Sequence, residues 1–321
     1  MVNAARLFVA VLLCCAGTAA VGSEWPERPI KLIVSFPAGG SADSVARPLA
    51  QKLSDILGQP VVIFNKPGGN GTIGLGDVAK AAPDGYTLTL NPSSFSIHPH
   101  VHEKLPYDSD KDFTPIALVA KSPLVLLVNK DLPVSNLQEF VNLARTQSKK
   151  VTFATTGTGA AAHLAALMFN KTTATDILMV PYKGNADALN DLVGGHVSAL
   201  FDPIQTALPQ IRSGRLRALM VASEVRLPEV SEIPTAEESG LGSFRFYSWY
   251  VVLGPANLPP NVRSRLVGAI QQANQDAVLQ ARYVAMGLEP KVLTGDSLTA
   301  FLRAESDLYR GIVREARIPK Q

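Results

Sequence analysis

The sequence predicts an α/β protein built as two lobes that face each other across a cleft. Three observations carry this. From Ile30 onward, short apolar runs alternate with stretches of helical period, the rhythm of βαβ units in a largely parallel sheet. A strand, a glycine turn and a helix start occur in succession at residues 30–45, and the same unit recurs at residues 151–168. The chain has 321 residues, enough to bury two cores of ordinary size.

Residues 1–22 read as a signal peptide. Arg6 precedes an apolar run from Leu7 to Ala16, and Thr18 and Ala20 follow at small-x-small spacing. The run is shorter than the roughly 20 residues that span a bilayer. Cys14 and Cys15 both fall inside it, so the mature chain is expected to lack disulfides and thiol chemistry and to depend on core burial. The remaining elements follow in order. Residues 30–36 form a buried strand. A helix with Val45, Leu49, Leu53 and Ile56 on one stripe ends at Gly58, with a bend expected at Pro48. Strands at 61–64 and 86–90 flank a short helix at 73–82. Residues 91–112 read as a solvated polar loop holding His98, His100 and His102. Strands follow at 124–129, 151–155, 177–180, 197–201, 216–221 and 246–253. Helices are expected at 133–145, from Ala160 through Met168, at 186–192, 262–275, 276–286 and 297–309. This order gives one lobe from residues 23–122 plus 247–321 and a second from 123–246, with hinges near 122–124 and 246–249.

The formal net charge of +3, with no basic cluster, argues against nucleic acid as a partner. The segment Pro37-Ala38-Gly39-Gly40-Ser41 lacks the lysine of a phosphate-binding loop and the spacing of a dinucleotide fingerprint. Its N–H groups and the following helix start suit one small anion such as a carboxylate, with Ser41 adding a hydroxyl. A plain tight turn is the alternative. Asp43 either caps backbone donors or points into the cleft. Thr155, Thr156, Gly157, Thr158 and Gly159 offer the same chemistry from the second lobe, so a ligand gripped from both sides would carry a carboxylate in each turn. Tyr182, Lys183 and Asn185 cluster at another strand end, and Asp202 ends the strand at 197–201. The three alternating histidines would share one face of a strand and could then hold a metal, but the solvated loop is the preferred reading. His163 reads as a packed residue hydrogen-bonded to its loop. A hydrolase elbow, a zinc-protease helix and a carboxylate pair are missing from the sequence, which suits holding a ligand more than transforming it. An enzyme using Ser41 or Asp43 is the competing class.

Several motifs together resemble one family. They are Trp25-Pro-x-Arg-Pro-Ile30, then Val34-Ser-Phe36-Pro-Ala-Gly-Gly-x-x-Asp43-x-x-Ala-Arg47, Asn65-Lys-Pro-Gly-Gly-Asn-Gly71 and Ala79-Lys-Ala-Ala-Pro-Asp-Gly-Tyr-Thr-Leu88. Gly157-Thr-Gly159, Pro181-Tyr-Lys-Gly184 and Leu192-Val-Gly-Gly195 continue the match over nearly the whole mature chain. The pattern is similar to the extracytoplasmic solute receptors of tripartite tricarboxylate transporters, the Bug or TctC-like receptors. The resemblance implies a type II periplasmic-binding-protein fold, a periplasmic location, no cofactor, and a monomer that closes on a small carboxylate and delivers it to a two-component membrane permease. It also implies walls of Phe36, Ala38, Gly39, Gly40, Ser41 and Asp43 on one side, and Thr155 to Gly159, Tyr182, Asn185 and Asp202 on the other. An orphan sensor for a small carboxylate is the alternative within this frame. Asn185 departs from the family pattern, where a small residue is usual.

Overall fold

A computed structural model describes residues 25–147, 150–242 and 244–320. The expected signal peptide and both cysteines lie outside the described residues. The parallel strands β1 (Ile30–Val34), β2 (Val61–Asn65) and β3 (Thr87–Pro92) lie in the order β2-β1-β3. Next to β3 runs β9 (Tyr247–Pro255), antiparallel, and next to that β4 (Phe113–Asn129). The second half of β4 turns to different neighbours: β7 (Ala199–Pro203), followed in the sheet by the parallel strands β5 (Thr152–Thr155) and β6 (Leu178–Pro181). Two strands that pair with β4 off this path are β8 (Leu216–Val221) and β10 (Glu289–Leu293).

Strand β4 therefore joins the two lobes. It pairs with β9 as far as Pro123, opposite Tyr247, and from Leu124 it pairs with β7, opposite Pro203. The sequence reading took only its second half as a clear strand. Every residue from Ile116 to Ala120 and from Ser122 to Val128 is buried, so the strand carries no alternating pattern that would reveal its length.

Helix α1 (Ser41–Leu57) follows β1 through the first glycine turn. Val45, Leu49, Leu53 and Leu57 are buried on β1, β2 and β3, each leucine contributing about 2 kcal/mol of apolar burial. The helix runs uninterrupted through Pro48 and stops at Gly58, whose φ of 69° only glycine adopts without cost. Helices α2 (Thr72–Ala79) and α3 (Ser94–Val101) follow β2 and β3. In the second lobe, α4 (Leu137–Thr146), α5 (Ala161–Thr173), α6 (Asn185–Val193) and α7 (Ile204–Arg212) alternate with strands. Phe169 of α5 packs on Phe153 and Phe201 at ring-centroid distances of 5.6 and 5.8 Å. The tail, α8 (Pro260–Gln275), α9 (Ala277–Ala285) and α10 (Gly295–Glu315), returns over the first lobe. There Glu305 accepts from Trp249 Nε1 at 2.7 Å.

Two sequence readings are corrected here. The histidines do not lie in a solvated loop or on one strand face. His98 and His100 belong to α3, and His102 follows its last turn. His98 is fully buried, its Nδ1 2.8 Å from the Tyr107 hydroxyl, and burial pushes its pKa down to about 3, so it is neutral at pH 7. His100 instead pairs with Ser306 at 2.9 Å. Among the described residues there is no cluster of three or more potential metal ligands. His163 is packed in the first turn of α5, but its Nδ1 is buried without a partner, so it does not bond the loop through that nitrogen.

Candidate functional site

Each parallel strand of a βα unit ends on the same edge, and the helix after it begins there. In this fold that rule brings five helix starts to one cleft between the lobes. Ser41 of α1, Ser93 and Ser94 at α3, Ala160 to Ala162 at α5, Asn185 of α6 and Pro203 before α7 all line it. The lining is completed by Phe36, Asn70, Pro92, Leu124, Thr156 and Ser248. The cleft encloses about 420 Å³, counting the space open to solvent.

None of these five helices has a side-chain cap. The capping positions are Gly40, Ser93, Ala160, Gly184 and Pro203, and no side chain accepts from the first turn. Two helices away from the cleft are capped, Asn136 accepting from Glu139 N for α4 and Asp276 from Leu279 N for α9, whereas α2, α8 and α10 are not. Uncapped first turns leave N–H donors and the positive end of the helix dipole aimed at whatever fills the cleft. No Lys, Arg, Asp or Glu lines it. The site can therefore attract and hold an anion with backbone dipoles alone, in a partly dry setting where such donors act strongly.

Asp43 has the supporting role. It is buried, and its Oδ2 accepts from Gly39 N at 2.9 Å and from Arg47 Nε at 2.7 Å. Its Oδ1 accepts from Arg47 Nη2 and Asn65 Nδ2, both at 2.9 Å. Burial would raise its pKa, but the bonds from Arg47, Gly39 and Asn65 outweigh that and hold it below the usual value. All of its contacts shape the turn; none faces the cleft. Gly39 takes φ 77°, which requires glycine, and Gly40 takes an ordinary φ of −77°.

The second turn is placed differently. Thr155 is buried at the end of β5, and Thr156 lines the cleft. Gly157 and Gly159 have φ of 97° and 82°. Thr158 O accepts from Asn70 Nδ2 at 2.9 Å, a bond from the opposite lobe. Further contacts cross the seam. Gln205 donates to Tyr250 Oη at 2.5 Å and accepts from Ser122 Oγ at 2.5 Å. These bonds join the two halves of the cleft across the seam.

Tyr182 does not line the cleft; its hydroxyl donates to Asp191 Oδ2 at 2.6 Å within the second lobe. Lys183 is exposed. Asn185 lines the cleft, and its Nδ2 donates to Asp202 Oδ1. Asp202 is wholly buried, also accepts from Thr206 Oγ1 at 2.6 Å, and has no cation beside it. Burial lifts its pKa to about 7, which the Thr206 and Asn185 bonds only partly oppose. Sequence reasoning missed Asn70, Ser93, Ser94, Leu124 and Ser248. Ser93 and Ser94 were open to discovery, since they begin the helix after β3 as Ser41 does after β1. Ser248 and Leu124 reach the cleft only because β4 and β9 cross side by side at the seam, which no local pattern reveals.

Comparison with known proteins agrees with this geometry. The family model described as tripartite tricarboxylate transporter family receptor matches residues 45–318. The chain is 37% identical to Protein BugT of Bordetella pertussis, covering 98% of each chain. It is similar to the solved periplasmic binding protein BugD, with a TM-score of 0.88 and 34% identity over 92% of this chain and 100% of that one. A Rhodopseudomonas palustris protein solved with adipate matches with a TM-score of 0.90 and 29% identity, over 93% and 100% of the two chains. MatC from the same organism, solved with malate, matches with a TM-score of 0.81 and 31% identity, over 90% and 100%.

Proposed function

This chain belongs to the tripartite tricarboxylate transporter receptor family and is a periplasmic solute receptor, and from that premise we propose that its cleft captures a small dicarboxylate for a cognate two-component permease. The observation that carries the solute class is the convergence of five uncapped helix starts on a cleft with no charged side chain. One carboxylate sits at the first turn, against Gly39, Gly40 and Ser41, beside Phe36 and Ala38. The other sits at the second turn, 155–159, beside Asn185. Asp43 and Asp202 act behind these groups as positioning residues. Relatives solved with adipate and malate support the same class.

Capture is coupled to closure. Residues 23–122 with 247–321 move as one lobe and 123–246 as the other, about hinges at 122–124 and 246–249, where β4 exchanges β9 for β7. The solute supplies contacts to both turns only in the closed form, so it shifts the population toward closure and presents the permease with a distinct surface. The receptor acts as a monomer.

The test is calorimetric titration of ligand-stripped mature protein with citrate, C4 to C6 dicarboxylates, acidic amino acids and aromatic carboxylates. We expect a micromolar dicarboxylate, lost in Gly40→Leu, because a side chain at Gly40 starts 3.2 Å from Pro37 O and grows from the donor edge of the turn. A panel without a dicarboxylate hit, or an unchanged affinity in Gly40→Leu, contradicts the reading.

A further inference from the structure

Behind the cleft floor a buried chain of polar groups crosses from one lobe to the other. Gln205 lies in the first turn of α7, in the second lobe, and its side chain is buried. Its neighbours fix which way the amide points. The Ser41 carbonyl, 3.4 Å from Nε2, can only accept, so the amide nitrogen faces Ser41 and Tyr250 while the oxygen faces Ser122. Ser122 Oγ accordingly donates to Oε1 at 2.5 Å, and Nε2 donates to the Tyr250 phenol oxygen at 2.5 Å. Tyr250 is wholly buried on β9, and burial raises its pKa, so the phenol keeps its proton. With Gln205 already donating to it, that proton has to go elsewhere. The other groups bonded to the phenol are the hydroxyls of Ser41 and Ser248, and both serines line the cleft.

A phenol has one hydrogen to give, so one serine accepts it and the other donates to the remaining lone pair of the phenol oxygen. Ser248 is buried, with 4% of its surface exposed, whereas Ser41 is partly open. A buried hydroxyl hydrogen without a partner is costly, so Ser248 directs its hydrogen to the phenol and Ser41 accepts from it. The Ser41 hydroxyl hydrogen is then left for the cleft. It sits at the first residue of α1, where the positive end of the helix also points. We infer that Gln205 and Tyr250 are positioning residues that act through Ser41. Their bonds run in one direction, from Ser122 to Gln205 to Tyr250 to Ser41, and they aim the Ser41 hydroxyl at the solute's carboxylate before it arrives. Each bond in such a chain strengthens the next, and a donor already aimed needs no reordering on binding. The inference rests on the carboxylate reading above and deepens it by naming the residues that orient one of its donors.

The experiment is a double-mutant cycle, read by calorimetric titration of succinate and L-malate into the ligand-stripped mature protein. Ser41→Ala removes the donor and should weaken the tighter of the two solutes about tenfold. Tyr250→Phe leaves the Ser41 hydroxyl in place but unaimed, and should weaken binding about fivefold. Gln205→Met frees the phenol to turn and should act in the same direction. The deciding quantity is the effect of Tyr250→Phe in the Ser41→Ala background. It should shrink to less than about twofold, because the hydroxyl through which the phenol acts is gone. In the Ser248→Ala background it should stay at about fivefold. A general loss of packing would instead cost the same factor with or without Ser41. Thermal unfolding without solute confirms that each variant is folded, and Gln205→Met carries the same cycle if Tyr250→Phe does not fold. Three results overturn the inference and leave the carboxylate reading standing: a loss that persists undiminished in Ser41→Ala, an affinity unchanged by both Tyr250→Phe and Gln205→Met, or coupling to Ser248 in place of Ser41. A wild-type protein that binds neither solute, nor citrate or adipate, removes the carboxylate reading and the inference with it.

Discussion

The two glycine turns that face each other across the cleft offer the same donors but are held by different means. The first, at 37–40, is tied down within its own lobe by Asp43, which gathers Gly39, Arg47 and Asn65 around one buried carboxylate. The second, at 155–159, is fastened from across the seam. Asn70 reaches it from the other lobe, and Gly159 packs so closely that an added Cβ would lie 2.7 Å from Val101 Cγ2. Under the proposed hinge motion, the first turn would be preformed in the open receptor and the second completed on closure. On the proposed function, one would provide a standing anion site and the other would make binding and closing a single event.

The comparison is broken most directly at Asp43. Asp43→Ala leaves the Gly39 N–H without its acceptor and removes the carboxylate that Arg47 and Asn65 share, and we expect a loss of about 3 kcal/mol in chemical denaturation with solute affinity down about a hundredfold. An unfolding midpoint within error of the wild type would show that the first turn does not depend on its own lobe. Gly159→Ala probes the second turn. Its φ of 82° strains alanine by about 1 kcal/mol, and the Cβ collides with Val101 only when the lobes meet. Affinity should fall about tenfold, with small-angle scattering shifted toward the open form, while stability changes by no more than about 1 kcal/mol. A loss of stability as large as that of Asp43→Ala would erase the distinction.

The smallest effect is in pH dependence, where the carboxylates behind the two turns have opposite signs. Asp43 titrates below its ordinary range when folded, so its contribution is present at neutral pH and is lost as pH falls through the folded value. Asp202 titrates near 7 when folded, against 3.8 as the ordinary value. The folded state then holds the extra proton, so this term weakens stability as pH rises from about 4 to about 8. The groups around Asp202 are the Asn185 amide, the Thr206 hydroxyl and the Tyr250 phenol, and none supplies a compensating cation. Subtracting the unfolding free energy of Asp202→Asn from that of the wild type should give a difference that declines between about pH 5 and 8, by on the order of a few kcal/mol. A flat difference would mean that Asp202 is not held in the protonated form.

What was legible in the sequence follows the same division. The preformed turn and its supports, β1, α1 and β2, were readable because an apolar run, two glycines and the stripe Val45, Leu49, Leu53 signal their structure locally. Helix α3 was not, because Ser94 through His98 are all buried and give no amphipathic stripe, and Pro99 and the histidines resemble loop composition. Helix α7 was hidden by Pro209 and its short span. Of the candidate site residues, Phe36, Ser41, Thr156 and Asn185 line the cleft, while Asp43, Tyr182 and Asp202 have their polar atoms engaged behind it. A sequence displays which residues end strands. Which of their side chains turn inward depends on partners such as Arg47, Asp191 and Thr206, and those are neighbours only after folding.

The most direct test of the account is a calorimetric comparison of L-malate and succinate with their monoamides, on the same ligand-stripped protein. If each lobe holds a carboxylate on bare helix starts, replacing one carboxylate by a neutral amide of nearly the same shape should weaken binding about tenfold to a hundredfold, the difference between charged and neutral hydrogen bonding. Monoamides that bind as tightly as the dianions would contradict the account, because one of the two turns would then hold no charge.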